Sequence, residues 1–332
     1  MSAALERVEP SLARRARRRA AGARGSARRA DDLHRRLLAA GAAAVFVAAV
    51  CVIVETTKGA WPALHAFGAR FLLSTEWDPV ADRYGALPYL YGTLVSSALA
   101  MLFAVPTGIA TAVFLSEIAP RRIAAVLAWL VELLASIPSI VYGIWGLFVL
   151  APWLRAGVEP WLIAHAGFLP FFRGFPFGIG MLNAGLVLAI MIVPTIVSIS
   201  REVLRAMPVG LREAALALGA TRGEAIRVVL DAARPGILGA AILALGRALG
   251  ETMAVTMVIG NTNRISLSLL APGATMASVI ANEFTEATGT LYLSSLIEIA
   301  FVLFAVTLLV NVGARILVKL ASGGRRDVAG AA

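Results

Sequence analysis

The sequence predicts an all-α membrane protein with six transmembrane helices, and three observations carry the prediction. Of its 332 residues, 59% are hydrophobic and only 15% charged, an apolar share well above that of an ordinary soluble domain. Six apolar runs reach the roughly 20 residues that a helix needs to cross a bilayer; they lie at 37–57, 91–116, 124–151, 178–200, 236–259 and 292–318. The Lys and Arg residues between these runs are unevenly distributed, which fixes an orientation.

One side collects 23 of the 30 basic residues: 11 from Arg7 to Arg36, Arg121 and Arg122, six from Arg201 to Arg234, and Arg315, Lys319, Arg325 and Arg326. The opposite side has Lys58, Arg70, Arg83, Arg155, Arg173 and Arg264, and Arg247 lies inside a run. Positive charge enriches cytoplasmic flanks, so both termini and the 201–235 loop are expected in the cytoplasm. The net charge of +10 is explained by this topology and by anionic lipid headgroups, without nucleic acid.

Taken in order, residues 1–36 are rich in Ala, Arg and Gly and are expected to be a disordered basic tail. That tail exceeds a normal signal n-region, so the first helix, 37–58, is expected to stay as an anchor. An outer loop, 59–89, contains Trp77-Asp78-Pro79 and Tyr84, whose aromatic character suits a membrane interface. The core, 90–318, follows, and then a short tail, 319–332. An aromatic outer segment at 152–177 and a polar one at 260–291, with Glu283 and Glu286, are expected at the interface or in contact with solvent or a soluble partner. The single cysteine, Cys51, and the scattered His34, His65 and His165 form no metal or disulfide pattern.

Prolines interrupt the apolar runs at Pro106, Pro138 and Pro194, each removing one backbone hydrogen bond. Ser136-Ile137-Pro138-Ser139 is the most pronounced case, and both a packing kink and a bend lining a polar passage would use it. Two charged groups, Arg247 and Glu251, stand four residues apart in the fifth run, a spacing that would place them on one helix face. Intramembrane ionisable groups mark pathways more often than they stabilise a fold. A guanidinium also offers forked donors to a tetrahedral oxyanion, and Glu251 would temper its grip. Glu132 and Glu298 are further intramembrane acids without a partner visible in the sequence.

The 201–235 loop contains Arg212-Glu213-Ala214-Ala215-Leu216-Ala217-Leu218-Gly219. Ala and Leu favour helix, Pro208 stands where a helix can start, and Gly219 suits a left-handed residue that closes one. Three long stretches then resemble one family: Glu132 through Gly143, the Glu-Ala-Ala loop, and Gly246-Arg247-Ala248-Leu249-Gly250-Glu251-Thr252. They resemble the permeases of phosphate-specific ABC importers, and Trp77-Asp78-Pro79 with Ile144-Trp145-Gly146 is more similar to the PstC-type subunit than to its PstA-type paralogue.

The resemblance implies a type I ABC importer permease (MetI-like) fold in the bacterial inner membrane. It also implies a heterodimer with a PstA-type permease, two ATPase subunits that bind ATP and Mg, and an external phosphate-binding protein. Its site residues would be Arg247, Glu251, Glu132, Ser136 and Ser139 on the substrate path, with Arg212, Glu213, Ala214, Ala215 and Gly219 on the ATPase. Asp231 replaces a usual Pro and Gly223 a usual Trp, so the exit from the loop is expected to differ. The two lysines, Lys58 and Lys319, lack a P-loop context, so the chain is expected to be a non-catalytic transport subunit. A self-sufficient proton-coupled anion carrier, or an ABC permease for sulfate, molybdate or phosphonate, would share the intramembrane charges.

Overall fold

The computed structural model describes the backbone of residues 9–323 and the side chains of residues 34–319. The chain divides into two units, Met1–Lys58 and Gly59–Ala332. The first unit is the N-terminal length of one long helix, α1 (Glu9–Phe67). Residues 9–36 are therefore helical where composition predicts disorder. Ala and Arg are strong helix formers and the segment is polar enough to need no core. Residues 1–8 of that tail, and 324–332 of the C-terminal one, lie outside the described residues.

The second unit continues with α2 (Leu87–Ile118), α3 (Arg121–Ser136), α4 (Ser139–Ala166), α5 (Met181–Ala206), α6 (Val209–Ala217), α7 (Arg222–Leu249), α8 (Met253–Val258), α9 (Met276–Glu283) and α10 (Thr290–Gly323). Among the described residues, six helices are long and apolar enough to cross a membrane: α1 from His34, α2, α4, α5, α7 and α10 to Lys319. The number matches the prediction, but two of the spans move.

The third run breaks at Ile137, whose extended backbone (ψ 128°) is what a following proline imposes. Its first half, α3, has 16 residues, about 24 Å at the helical rise and short of the ~30 Å hydrocarbon core. The span proper begins at Ser139 and absorbs residues to Ala166 that the sequence assigns to an outer segment. Hydropathy is blind to such a break because both halves are apolar. The fifth run is displaced because α7 starts at Arg222 and stops at Leu249, with Gly250 as its C-terminal cap.

Helix α5 lies at the centre, with 67% of its apolar stretch buried, and packs against α2, α3, α7 and α8. Close approach to α2 is made possible by a stripe of buried small residues every fourth position: Gly92, Ser96, Ala100, Ala104, Gly108 and Ala112. A Cβ on Gly108 would stand 2.8 Å from Ile196 of α5, and one on Gly92 would run into the Ala274 carbonyl. The end of α8 and the segment that follows it fold back over the start of α5 and satisfy its orphan donors: Gly180, Met181 and Leu182 N–H donate to Val258, Ala271 and Leu269 at 3.0, 3.2 and 2.8 Å.

Candidate functional site

The 201–235 loop forms the short helix that its sequence predicts. Pro208 precedes α6, and Gly219 takes the left-handed conformation (φ +86°) beyond its end. Ala220 N–H donates to the Ala215 carbonyl (3.1 Å) and Gly219 N–H to that of Leu216 (3.0 Å), the reciprocal pair of a Schellman closure. Thr221 then caps α7: its hydroxyl accepts from Glu224 N–H (3.4 Å) while the Glu224 carboxylate accepts from Thr221 N–H (2.8 Å). One helix stop and one helix start are thus back to back, and they set the angle between α6 and α7.

Glu213, Ala214, Leu216 and Leu218 face outward on this turn; Leu218 is 89% exposed. Arg212, which the sequence groups with them, turns inward instead. Its Nε donates to Glu117 Oε2 at 2.8 Å, its Nη2 to Glu117 Oε1, and Nη2 also reaches the Leu204 carbonyl at 3.3 Å. The reason is Glu117, a carboxylate on the last turn of α2 whose side chain is only 6% exposed; a buried carboxylate requires a paired, forked donor. Hydrogen bonding to Glu117 raises the Arg212 guanidinium above its ordinary value, against the opposing effect of burial.

The second group of residues lies at two helix breaks. Between α3 and α4, the Leu134 carbonyl is taken up by the Tyr142 hydroxyl at 2.7 Å, and Ser136 Oγ donates to Leu133 at 2.7 Å. Ser139 is half-buried in the first turn of α4. Between α7 and α8, Glu251 lies beyond the helix end and its carboxylate accepts from Ala254 N–H at 3.3 Å, capping α8. The expected ion pair on one helix face is therefore replaced: Gly250 ends α7, and among the described residues Arg247 and Glu251 make no salt bridge. Arg247 is exposed in the last turn of α7.

The two breaks are neighbours, because α4 packs against α8. A Cβ on Gly143 would lie 3.0 Å from Ala254 Cα. Among the described residues Glu132 makes no salt bridge with Arg247. It is exposed on α3, and its partner is Arg201 of α5 at 3.9 Å.

Glu298 is buried on α10, and its Oε2 has no hydrogen-bond partner among the described residues. Glu283, expected at the surface, is drawn inward: its Oε2 accepts from Trp77 Nε1 and from the Tyr292 hydroxyl, both at 2.7 Å. Around that carboxylate Trp77 stands edge-on to Tyr84, Tyr89 and Tyr292, and burial ahead of the nearby Asp82 pushes the Tyr84 hydroxyl up to about 12.

Sequence reasoning missed Glu117, Tyr142 and Arg201. Glu117 and Arg201 lie at the predicted ends of the second and fourth runs, where a charge looks like an ordinary topological flank. Tyr142 was within a quoted motif but carried no charge to single it out.

Residues 104–323 match the family model described as the binding-protein-dependent transport system inner membrane component. The chain is 48% identical to the phosphate transport system permease protein PstC of Mesorhizobium japonicum, over 80% of this chain and 82% of that one. It is 43% identical to the protein of the same name from Haemophilus influenzae, over 82% and 88% of the two chains. Among solved structures, the inward-facing MetNI methionine ABC transporter superposes with a TM-score of 0.52 and 19% identity, covering 70% of this chain and 94% of that one. That likeness supports the MetI-like fold alone. The chain belongs to the binding-protein-dependent transport system inner membrane component family and, within it, to the PstC-type permeases.

Proposed function

We propose that this chain is the PstC-type subunit of an ATP-driven importer and provides part of the path for inorganic phosphate across the inner membrane. The relatives named as phosphate transport permeases support the substrate, and the exposed guanidinium of Arg247 supplies the chemistry for it. A planar fork of donors that stays charged at every physiological pH suits a tetrahedral oxyanion. The first turn of α4, at Ser139, adds the positive end of a helix dipole beside the neighbouring break, and Ser136 a hydroxyl. Glu251, held against α8 by Ala254 N–H, adds a carboxylate to the same break without pairing with Arg247.

The observation that carries the coupling is the continuity of α7. One helix runs from the Thr221 cap, beside α6, to Arg247 in its last turn, about 38 Å along the axis. Displacement of α6 therefore reaches the Arg247 region through one continuous helix, with Pro235 in its interior as the point where it can bend. We assign the exposed side of α6, Glu213 and Ala214 with Leu216 and Leu218, to a cleft on a separate ATPase subunit, which binds the ATP and Mg. Gly219 sets the turn behind that surface. Both termini and the 201–235 loop are cytoplasmic in this arrangement, and a PstA-type permease and an external phosphate-binding protein complete the assembly.

Uptake of radiolabelled phosphate and sulfate by cells with this chain deleted and restored tests the function. Loss and recovery of phosphate uptake alone is expected. Recovery of sulfate uptake, or phosphate uptake that persists without the chain, contradicts it.

A further inference from the structure

Helix α6 is joined to its own subunit in two different ways. It packs against α7, which follows it in the chain. Towards α2 it borders an open cleft of about 380 Å³, lined by Glu117 and Ile118 of α2, Arg212 and Leu216 of α6, and Arg222 and Ile226 at the start of α7. Across the cleft the two helices are not in close apolar packing, which is what would otherwise carry a push between them. What crosses it is the Arg212–Glu117 pair, forked and with Glu117 almost fully buried. Glu117 itself lies in Phe114–Ile118, a π-helical turn that ends α2, a wider and less regular winding than the helix before it. Arg212 also holds the Leu204 carbonyl at the end of α5, so one guanidinium ties together α6, α2 and α5.

We propose that Arg212 and Glu117 form a strut that carries the movement of α6 into α2, separately from the route through α7. The proposal rests on α6 being the ATPase-docking helix. Arg212 and Glu117 are positioning residues in this scheme: they act through α6 and α2, not on the phosphate itself. Removing one end leaves α6 docked but slack against α2, so ATP hydrolysis continues while the membrane helices respond incompletely.

The test uses the complete complex in proteoliposomes, with radiolabelled inorganic phosphate and the external binding protein. Glu117→Gln and Arg212→Gln are each expected to keep the ATPase associated and hydrolysing, while phosphate imported per ATP falls by about tenfold. The exchanged pair, Glu117→Arg with Arg212→Glu, is expected to recover that ratio to within about threefold, as coupled neighbours do.

Wild-type stoichiometry in either single variant overturns the strut, and so does an exchanged pair that assembles yet remains uncoupled. If the single variants fail to assemble, an exchanged pair that assembles and transports upholds it. Glu213→Lys separates the two levels of the argument. If that change leaves ATPase association and hydrolysis untouched, α6 is not the docking helix and the function assigned to it falls; if it disrupts association while Glu117→Gln keeps wild-type coupling, only the strut falls.

Discussion

The two ends of the second unit are built by opposite rules. At the end that includes the start of α5, the donors of that helix are satisfied by a folded-back segment, Met276 N–H is held by the Thr93 hydroxyl at 2.9 Å, and Trp77 and Tyr292 converge on Glu283. At the other end, α6 carries no buried residue and is held by its packing on α7, by the turn that joins the two helices, and by Arg212 on Glu117 and the Leu204 carbonyl. The difference teaches where the molecule is a scaffold and where it is a lever. Elements that move are drawn from parts with few buried contacts, and α6 meets that description while the Glu283 end does not.

The largest expected effect comes from breaking the scaffold. Gly92→Val places a branched side chain against the Ala274 carbonyl, an overpacking expected to cost about 3 kcal/mol or more. Loss of membrane-inserted, detergent-stable protein checks it. Arg247→Gln should instead leave the scaffold whole and reduce phosphate uptake by at least about tenfold, the scale of losing a charged hydrogen-bonding fork. Near-normal uptake at equal expression would return Arg247 to a structural role.

Legibility in the sequence followed the same division. The number of spans, α6 and its left-handed Gly219 were readable because they depend on local signals: apolar length, a helix-forming run and a glycine. The broken third run was not, since a proline within apolar sequence signals a kink and a complete break equally well. Arg247 and Glu251 were found as a pair but given the wrong geometry, because the four-residue spacing assumes a helix that Gly250 ends. Glu117 meets Arg212 from 95 residues away, and Glu283 meets Trp77 from 206 residues away as well as the nearer Tyr292; no local pattern encodes the long-range partners.

Smaller changes sharpen the comparison. Trp77→Phe removes one donor from the Glu283 carboxylate while Tyr292 retains the other, so a loss of about 1.5 kcal/mol in thermal or denaturant stability is expected, with transport per folded molecule unchanged. Thr221→Ala removes the hydroxyl half of the capping box and should cost about 1 kcal/mol locally. Hydrogen exchange is expected to accelerate in the first turn of α7 and nowhere in 259–283; acceleration at both ends would show that they are not independent.

The most direct test of the lever is Gly219→Val, which puts a β-branched residue where φ is +86° and leaves every membrane helix untouched. The quantity to measure is phosphate imported per ATP hydrolysed by the reconstituted complex, together with ATPase co-purification. The lever predicts that the ratio falls about tenfold or that the ATPase is lost, with the protein still inserted. An unchanged ratio with unchanged ATPase association would contradict the assignment of α6 as the coupling element.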